Sequence, residues 1–306
     1  MSARAVLLVG ALTLAALAAA PAARAQKTVG FAPLVLRLPA SARALAMGNA
    51  FVAGRGSEMI FYNPAQLSST PGLGVSVGRF GSASTAAARS ASSALGAGGI
   101  GLGAQMLDYG ATSGATPRVG SALTTRGPEA SASLAASLGA AYPFRGIRWG
   151  FAVKYAQERF PTSRGSRAAF DVGVAKDAGP VTLAVAAQNL GGGFRVGSSL
   201  LRLPRAVTAG FFGGALPMGA FDLTAGASVS VRQGGRVTPA AGAELGYIPL
   251  DGWSVVGRVG VRRAEESGPG IVTLGGGLGL DRLSLDYAYE AFDGPGGAHR
   301  VGIRIR

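Results

Sequence analysis

Short runs in which apolar residues alternate with small or polar residues recur along most of this chain. In residues 149–155, for example, Trp, Phe, Val and Tyr alternate with Gly, Ala and Lys. A period of two with one apolar face is typical of β-strands, and each run is about as long as a barrel strand. We count about thirteen such runs between residues 73 and 306, and a weaker one within residues 82–95. Because bacterial barrels have even strand numbers, the sequence predicts about twelve to fourteen strands.

The composition helps to separate two all-β folds that share this alternation, a soluble β-sandwich and a transmembrane β-barrel. The chain is 48% hydrophobic and only 14% charged, whereas charged residues make up about a quarter of an ordinary globular domain. After Gln26, every apolar stretch is shorter than the roughly 20 residues of a spanning helix. Lipid tolerates no unpaired backbone, so we predict a closed antiparallel transmembrane β-barrel of about 14 strands. A soluble exported β-protein is the weaker alternative.

The first 25 residues are organised like a cleaved signal peptide. Arg4 provides a positive charge, residues 6–20 form an apolar stretch, and Ala23-Arg24-Ala25 is an A-x-A cleavage site. We therefore expect export and a location in the outer membrane of a Gram-negative type envelope. The expected domains are the signal peptide at 1–25, an N-terminal hatch or plug segment at 26–71 and the transmembrane barrel at 72–306.

Residue types that usually carry catalysis or bind metals are scarce in this chain. It has no cysteine and a single histidine, His299, which excludes a disulfide framework, thiolate chemistry and an ordinary zinc site. His299 could serve as the base of a hydrolase, but its place at the start of the last strand fits a hydrogen-bonding role better. Glu265, Glu266 and Asp293 lack the spacing of calcium ligands, and the G-x-G-x-x-G at 96–101 lacks a strand-to-helix context. We predict no enzymatic activity, no cofactor and no metal site.

The formal net charge of +14 comes from singly scattered basic residues. Neither a basic helix nor an aromatic RNA-binding platform accompanies them, so we predict no nucleic-acid partner. Phosphate-bearing lipid headgroups of the outer membrane, an acidic partner or a charged lumen could each take up the basic excess. Buried charges require partners, and the alternation places five charged residues on inward positions, where we predict a ladder of paired charges in the lumen: Lys154, Asp171, Arg258, Asp286 and Arg304.

Aromatic residues and turn-rich stretches predict where the strands end. Aromatic residues near predicted strand ends indicate an interfacial girdle: Tyr142, Phe160, Phe194, Tyr247, Trp253 and Tyr289. Stretches rich in Ser, Gly, Thr or Pro predict loops at 82–94, 112–127, 191–199 and 264–270.

Residues 38–67 combine small residues, glycine turns and a rigid Asn63-Pro64 step, as expected of a segment folded into a lumen. This stretch and the later strands carry a collinear set of motifs: SARALAMGNAFVA at 41–53, YNPAQL at 62–67, GFAVKYAQERF at 150–160, AFDVGV at 169–174, AAQNLGG at 186–192, LPRAVTAGF at 203–211, LDYAYE at 285–290 and HRVGIRI at 299–305. With these motifs the chain resembles the PorV/PorQ family of outer-membrane barrels, part of the wider FadL-like group. The resemblance covers nearly all of the chain after the signal peptide.

The resemblance implies a fourteen-stranded barrel with an N-terminal hatch in or near the lumen. Its implied hatch or gating residues are Asn63, Pro64, Ala65, Met47 and Gly48. PorV-like members serve type IX secretion, which implies a cargo-binding component that contacts the secretion translocon and exported cargo proteins. In FadL-like members the hatch gates the passage of hydrophobic small molecules, which is the alternative function. The chain departs from the family at 57–62, where members have an acidic pair and a Trp, and at its last residue, which is Arg306 instead of Phe.

Overall fold

A computed structural model describes residues 31–80, 86–109, 131–263, 269–292 and 297–306. The expected signal peptide, the predicted loop at 112–127 and the calcium candidates Glu265, Glu266 and Asp293 lie outside these residues. The described part of the chain contains seventeen β-strands: β1 (Gly72–Phe80), β2 (Ala87–Leu95), β3 (Ile100–Asp108), β4 (Ala132–Phe144), β5 (Ile147–Phe160), β6 (Ser163–Ala178), β7 (Val181–Leu190), β8 (Phe194–Val196), β9 (Ser199–Leu201), β10 (Ala206–Gly213), β11 (Leu216–Met218), β12 (Phe221–Arg232), β13 (Val237–Leu250), β14 (Trp253–Arg262), β15 (Pro269–Leu280), β16 (Leu283–Phe292) and β17 (Gly297–Ile305).

Fourteen of these strands form one antiparallel sheet that closes on itself. Strands β1 to β7 pair in sequence order, β7 pairs with β10, β10 pairs with β12, and β12 to β17 again pair in order. Closure comes from β17, which pairs with β1 from Leu73 opposite Ile305 to Phe80 opposite Ala298. A closed sheet leaves no unpaired strand edge. The predicted all-β closed antiparallel barrel of about 14 strands is therefore confirmed.

Three of the stretches predicted as loops include strand residues in the structure. Residues 87–95 form β2, so the loop predicted at 82–94 is wrong there, and the weaker strand predicted in the same stretch is correct. Strand β2 lacks a strong apolar pattern because its inward residues, Ala88, Ser90 and Ser92, are small and face the crowded lumen. The loop predicted at 191–199 overlaps the hairpin of β8 and β9, and β15 begins at Pro269, inside the loop predicted at 264–270.

The outer face of the barrel is apolar along most of its height. On β1, Leu73, Val75 and Val77 are each about half exposed, whereas Ser76 between them is buried toward the lumen. The same alternation runs through β5, where four large side chains point outward: Trp149, Phe151, Val153 and Tyr155. Such an outer face fits contact with lipid, because exposed apolar side chains in every strand would be unfavourable in water.

The two ends of the barrel differ in the length of their connections. Short turns join β4 to β5, β6 to β7, β13 to β14 and β15 to β16, and we call this the short-turn end. The connections after β1, β3, β7, β14 and β16 meet at the other end, the long-loop end. The turn between β4 and β5 needs two positive φ angles, which Arg145 (51°) and Gly146 (74°) adopt, as in the tight hairpins that match strand twist.

Most of the predicted aromatic girdle lies on the outer face. Tyr142, Tyr247 and Trp253 are exposed near the short-turn end, and Phe160 is exposed at the end of β5. Phe194 is wrong as a girdle residue, because β8 folds over the N-terminal segment and buries this ring. Its neighbours there are four small or apolar side chains: Ala32, Ala156, Ala169 and Leu203.

The N-terminal segment, residues 31–71, lies inside the barrel. It contains one short helix, α1 (Ala42–Ala46), and three turns of 3-10 helix at Leu34–Arg37, Ser57–Phe61 and Pro64–Gln66. Helix α1 begins where the Ser41 hydroxyl accepts a hydrogen bond from the Ala44 N–H, at 3.1 Å. Almost every side chain from residue 40 to residue 67 is buried, which requires the wall to surround the segment.

Within the described ranges, no helix has the length and hydropathy needed to cross a membrane.

Candidate functional site: the lumen segment and its wall

The Asn63-Pro64-Ala65 step lies against β5 and β6. The Asn63 side chain is fully buried, and its Nδ2 donates hydrogen bonds to the carbonyls of Val52 (3.1 Å) and Val174 (3.4 Å). Its Oδ1 accepts a hydrogen bond from the Ala65 N–H at 3.0 Å, which caps the 3-10 turn that Pro64 begins. The Asn63 amide thus links two parts of the segment to the barrel wall.

Met47 and Gly48 contact the wall about half-way round the barrel, at β13, β14 and β15. The Gly48 N–H donates to the Thr273 hydroxyl at 3.1 Å, and that hydroxyl donates to the Ala46 carbonyl at 3.3 Å. Gly48 ends helix α1 with a φ of 64°, a left-handed conformation that glycine adopts without strain. The five hatch candidates therefore lie in two groups on opposite sides of the lumen.

Wall glycines allow the segment to approach this closely. A Cβ atom at Gly173 would overlap Asn63 Oδ1, and one at Gly150 would overlap the Ala65 backbone nitrogen. On the opposite wall, a Cβ at Gly260 would overlap the Gly48 nitrogen, and one at Gly242 would lie 2.5 Å from the Met47 carbonyl oxygen. These inward glycines explain part of the high glycine content, because only glycine permits such close backbone approach.

Aromatic rings fill the centre of the lumen. Phe51 packs edge-on against Tyr62 and against Phe212 of β10, with ring centroids 5.6 and 5.5 Å apart. The Arg43 guanidinium lies over the Phe51 ring at 5.4 Å from its centroid. Gln188 of β7 donates to the Phe61 carbonyl at 2.7 Å, which ties the next turn of the segment to the wall.

A chain of alternating charges joins the segment to four wall strands. Arg43 donates through Nε and Nη2 to the two carboxylate oxygens of Glu244 on β13, at 3.1 and 3.0 Å. Glu244 also accepts from Arg258 of β14 at 2.5 Å, and Arg258 donates to Asp286 of β16 at 2.8 Å. Arg304 of β17 donates to Asp286 at 2.7 Å. We call these five residues the charge chain.

Glycine at position 277 lets the charge chain cross β15. Arg258 and Asp286 lie on the strands either side of β15, so the guanidinium must pass over the strand between them. A Cβ at Gly277 would lie 2.8 Å from Asp286 Oδ1 and 2.9 Å from Arg258 Nη1. Arg258 Nη1 also donates to the Gly276 carbonyl at 3.2 Å. A side chain at 277 would therefore separate the two charges.

Glu58 of the segment lies at the far end of the charge chain. Its side chain is 2% exposed, and within the described residues neither carboxylate oxygen has a hydrogen-bond partner. It lines a cavity of about 10 Å³ together with Asp286 and Arg304, and it attracts the Arg304 guanidinium through space. A buried carboxylate without hydrogen bonds is costly, so the nearby Arg304 charge is its main compensation.

Lys154 and Asp171 form a second, separate charge cluster at β5 and β6. Their ion pair is 2.6 Å long, and the two side chains are 2% and 0% exposed. Asn189 of β7 accepts from Lys154 Nζ at 3.1 Å and donates its N–H to Asp171 at 2.8 Å. The pairing register of β6 and β7 shifts at this point, and Asn189 has a φ of 55°. The five predicted lumen charges are thus buried in two paired groups.

Tyr62 joins two parts of the N-terminal segment just before helix α1 begins. Its hydroxyl accepts a hydrogen bond from the Ala40 N–H at 2.7 Å. Arg300 of β17 donates to the Ala40 carbonyl at 3.0 Å, and the Ser90 hydroxyl donates to the same oxygen. Burial raises the pKa of Tyr62 to about 12, so the phenol stays neutral over the physiological range.

A cleft of about 110 Å³ separates the segment from β12, β13 and β14 toward the long-loop end. Leu34, Leu38 and Pro239 give it apolar surface, and Arg232 and Arg262 give it positive charge.

His299 lies on the outer face of the barrel. Its Nδ1 is 2.8 Å from the Tyr287 hydroxyl, and its ring centroid is 5.0 Å from that of Tyr289. The hydrogen bond agrees with the role expected of this residue at the start of the last strand.

Sequence reasoning did not single out Arg43, Glu58 or Glu244. The available signal was alternation, since Glu244 and Arg258 are directly opposite in the register of β13 and β14 and share the inward face. Arg43 and Glu58 carried no such signal, because their partners lie about two hundred residues away and depend on how the segment sits in the lumen.

No protein-family model and no curated protein sequence matches the chain. Among solved structures, it is similar to the toluene transporter TbuX of Ralstonia pickettii, with a TM-score of 0.53 and 14% identity over 87% of this chain and 98% of that chain. It is also similar to the monoaromatic hydrocarbon channel CymD, with a TM-score of 0.50 and 12% identity over 90% of this chain and 97% of that chain. At these identities the likeness concerns the fold, so the chain has the barrel fold of a toluene transporter and of a monoaromatic hydrocarbon channel.

Proposed function

We propose that this protein is an outer-membrane channel for small hydrophobic molecules, with residues 31–71 as a hatch that closes its lumen. The apolar outer face supports a location in a membrane. The closed barrel pairs the backbone N–H and C=O groups of neighbouring strands all the way round, as lipid requires. The similar structures TbuX and CymD are described as a toluene transporter and a monoaromatic hydrocarbon channel, which supports hydrophobic solutes as the transported class. The protein acts by binding and passage, without a chemical step.

The observation that carries this proposal is how the hatch is held. Its backbone lies close against wall glycines, and polar contacts join it to opposite sides of the lumen. An apolar cluster also joins the hatch to the wall, with Phe51 and Ile60 on the hatch side and Ala152 and Phe212 on the wall side, so opening must expose this surface as well as release the polar contacts. The two groups of hatch candidates, around Gly48 and around Asn63, are the contacts that opening must release.

The absence of cysteine allows a direct test of the hatch. Ala42 Cβ on helix α1 lies 3.5 Å from a Cβ built at Gly302 of β17, which is within the range of a disulfide. The double variant Ala42→Cys/Gly302→Cys can therefore lock the hatch to the wall when oxidised and release it when reduced. The same protein in its two redox states provides the matched control.

The measurement is the uptake of radiolabelled toluene by Gram-negative cells that carry the variant in their outer membrane. We expect uptake above that of cells without the protein in the reduced state, and loss of this excess after oxidation. Equal uptake in the two states would reject the hatch as the gate. No excess uptake in either state, with the barrel present and heat-modifiable on gels, would reject transport of such molecules.

The secretion role implied by the PorV/PorQ resemblance stays a prediction. The similar structures TbuX and CymD are a toluene transporter and a hydrocarbon channel, so the transport function stands first. Purification of the protein from solubilised envelopes together with a translocon subunit or a secreted protein would reverse this order.

A further inference from the structure

Arginines form a row on the outer face of the barrel at its long-loop end. Antiparallel register connects Arg79 of β1 to Arg159 of β5 and Arg164 of β6 through directly opposite residues on the strands between them: Ala87, Asp108 and Ala132. We call Arg79, Arg159 and Arg164 the arginine row. Four strand spacings separate Arg79 from Arg159, which is about 19 Å along the barrel surface.

The arginine row lies at the edge of the apolar outer face. Arg79 follows Val77 and Val75 on the outward side of β1, and both valines are about half exposed. Arg159 follows Gln157 and the exposed Tyr155 on the outward side of β5. Residues two apart along a strand are about 7 Å apart, so the guanidinium groups lie where an apolar layer gives way to a polar one.

The positive charge of the row is not balanced within the described part of the protein. Arg159 and Arg164 are directly opposite each other, and like charges in that position destabilise a sheet. None of the three arginines has an ion pair or a side-chain hydrogen bond among the described residues. Asp108, the carboxylate in the same register, is 5% exposed and has an interaction of its own.

Most buried cations of the described lumen, in contrast, have a carboxylate partner, whereas Arg300 donates to neutral oxygens of Ala40 and Ser76. Lys154 is paired with Asp171, Arg43 with Glu244, and Arg262 of β14 with Glu290 of β16. The strongly basic balance of the chain is therefore not explained by these buried charges. The arginine row on the outer face therefore has its guanidinium groups available to an anion from outside the protein.

We propose that the arginine row binds the phosphate groups of a lipid in the outer leaflet. Guanidinium groups form bidentate, charge-assisted hydrogen bonds with phosphate, and two adjacent arginines can hold one phosphate between them. The row faces sideways at the edge of the apolar surface, which is where a lipid headgroup lies and where a soluble acidic protein would have to enter the membrane. Long loops of such barrels face outward, which places the row in the outer leaflet.

This inference rests on the proposed membrane location and is independent of transport. The test uses purified full-length protein in maltoside micelles, which contain no phosphate, with diphosphoryl lipid A as the probe. The variant Arg159→Gln/Arg164→Gln removes the opposed pair. The matched control, Arg145→Gln/Arg282→Gln, removes two exposed arginines from turns at the short-turn end.

The first readout is bound lipid A by native mass spectrometry. We expect the wild type and the control to bind it, and Arg159→Gln/Arg164→Gln to bind about tenfold more weakly. Equal binding by that variant, or equal binding of a phosphate-free glycolipid by the wild type, would reject the proposal. Displacement of lipid A by the same concentration of inorganic phosphate would assign the row to free phosphate instead of lipid and would also reject it.

The second readout is the temperature at which heat-modifiable gel migration is lost. Without lipid, Arg159→Gln/Arg164→Gln should be more stable than the wild type, because the like-charge contact is gone. With lipid A the order should reverse, and an unchanged order would contradict the proposal. If the double variant does not fold, Arg79→Gln tests the other end of the row: without a like charge directly opposite, it should leave the stability without lipid unchanged and reduce the stabilisation by lipid A.

Discussion

Replacing Arg43 by Gln tests whether the charge chain keeps the hatch closed. Arg43 is the member of the charge chain that lies in the hatch, and it donates two hydrogen bonds to Glu244. Because Glu244 keeps its ion pair with Arg258, Arg43→Gln weakens the hatch contact without leaving an unpaired carboxylate in the wall. The variant therefore changes the closed state specifically, while the barrel itself keeps its pairing.

The size of the effect follows from these contacts. Hydrogen bonds to charged groups contribute about 1.5–3 kcal/mol, and we assign about 2–3 kcal/mol to the loss of Arg43 because Gln can retain part of one bond. Each 1.4 kcal/mol is a factor of ten in an equilibrium, so the open fraction should rise by about 30- to 150-fold. The cation–π contact with Phe51 adds to this loss.

Single-channel recording in planar bilayers measures the open probability directly. The matched control is Arg145→Gln, which removes an exposed arginine from the turn between β4 and β5. Adding Ala42→Cys/Gly302→Cys to Arg43→Gln should abolish the extra openings under oxidising conditions and restore them on reduction. An open probability equal to that of Arg145→Gln would refute the reasoning that the charge chain holds the hatch.

Three further perturbations have expected outcomes. Gly173→Ala places a methyl group against the hatch amide and should raise the open probability, whereas Gly257→Ala, which points into open space, should leave recordings unchanged. Lys154→Met should lower the unfolding free energy by about 3–5 kcal/mol, because it leaves the buried Asp171 carboxylate without its cation. Lys154→Met/Asp171→Leu should recover most of this loss, and heat-modifiable gel migration measures both. Burial raises the pKa of Tyr62 to about 12, so the neutral phenol stabilises the folded protein fully below pH 10, and this contribution is lost as the pH rises through 12. The stability of Tyr62→Phe, measured across the same range, should therefore fall less than that of the wild type.

The sequence predicts the wall better than it predicts the hatch contacts. Outward residues such as Trp149 and Val153 alternate with small ones because lipid and lumen impose different demands on the two faces of every strand. Strand β2 escapes this pattern, since the lumen forces small side chains on its inward face and Ala91 and Ser93 stand on its outward face. A local pattern cannot show which small polar stretch completes a closed sheet.

The candidate site depends on long-range placement. Inward positions of charged residues are readable from alternation, and Lys154 and Asp171 were predictable as lumen charges for that reason. Their pairing, and the contact of Arg43 with Glu244, depend on register and on the position of the hatch. Phe194 shows the same limit, because an aromatic residue beside glycines looks like a girdle residue until the fold of β8 is known.

The distribution of charge between hatch and wall affects how closure can be reversed. The wall part of the charge chain has two carboxylates, on Glu244 and Asp286, and two guanidinium groups, on Arg258 and Arg304. At the charge chain the hatch brings one charge of each sign, on Arg43 and Glu58, while its other two charges lie elsewhere: Arg55 pairs with Asp177 and Arg37 lines the cleft toward the long-loop end. At this contact each side is therefore neutral by itself, so opening separates local ion pairs and does not separate opposite net charges. The part of an opened lumen lined by these six residues would have no excess of either sign, which suits the passage of an uncharged molecule.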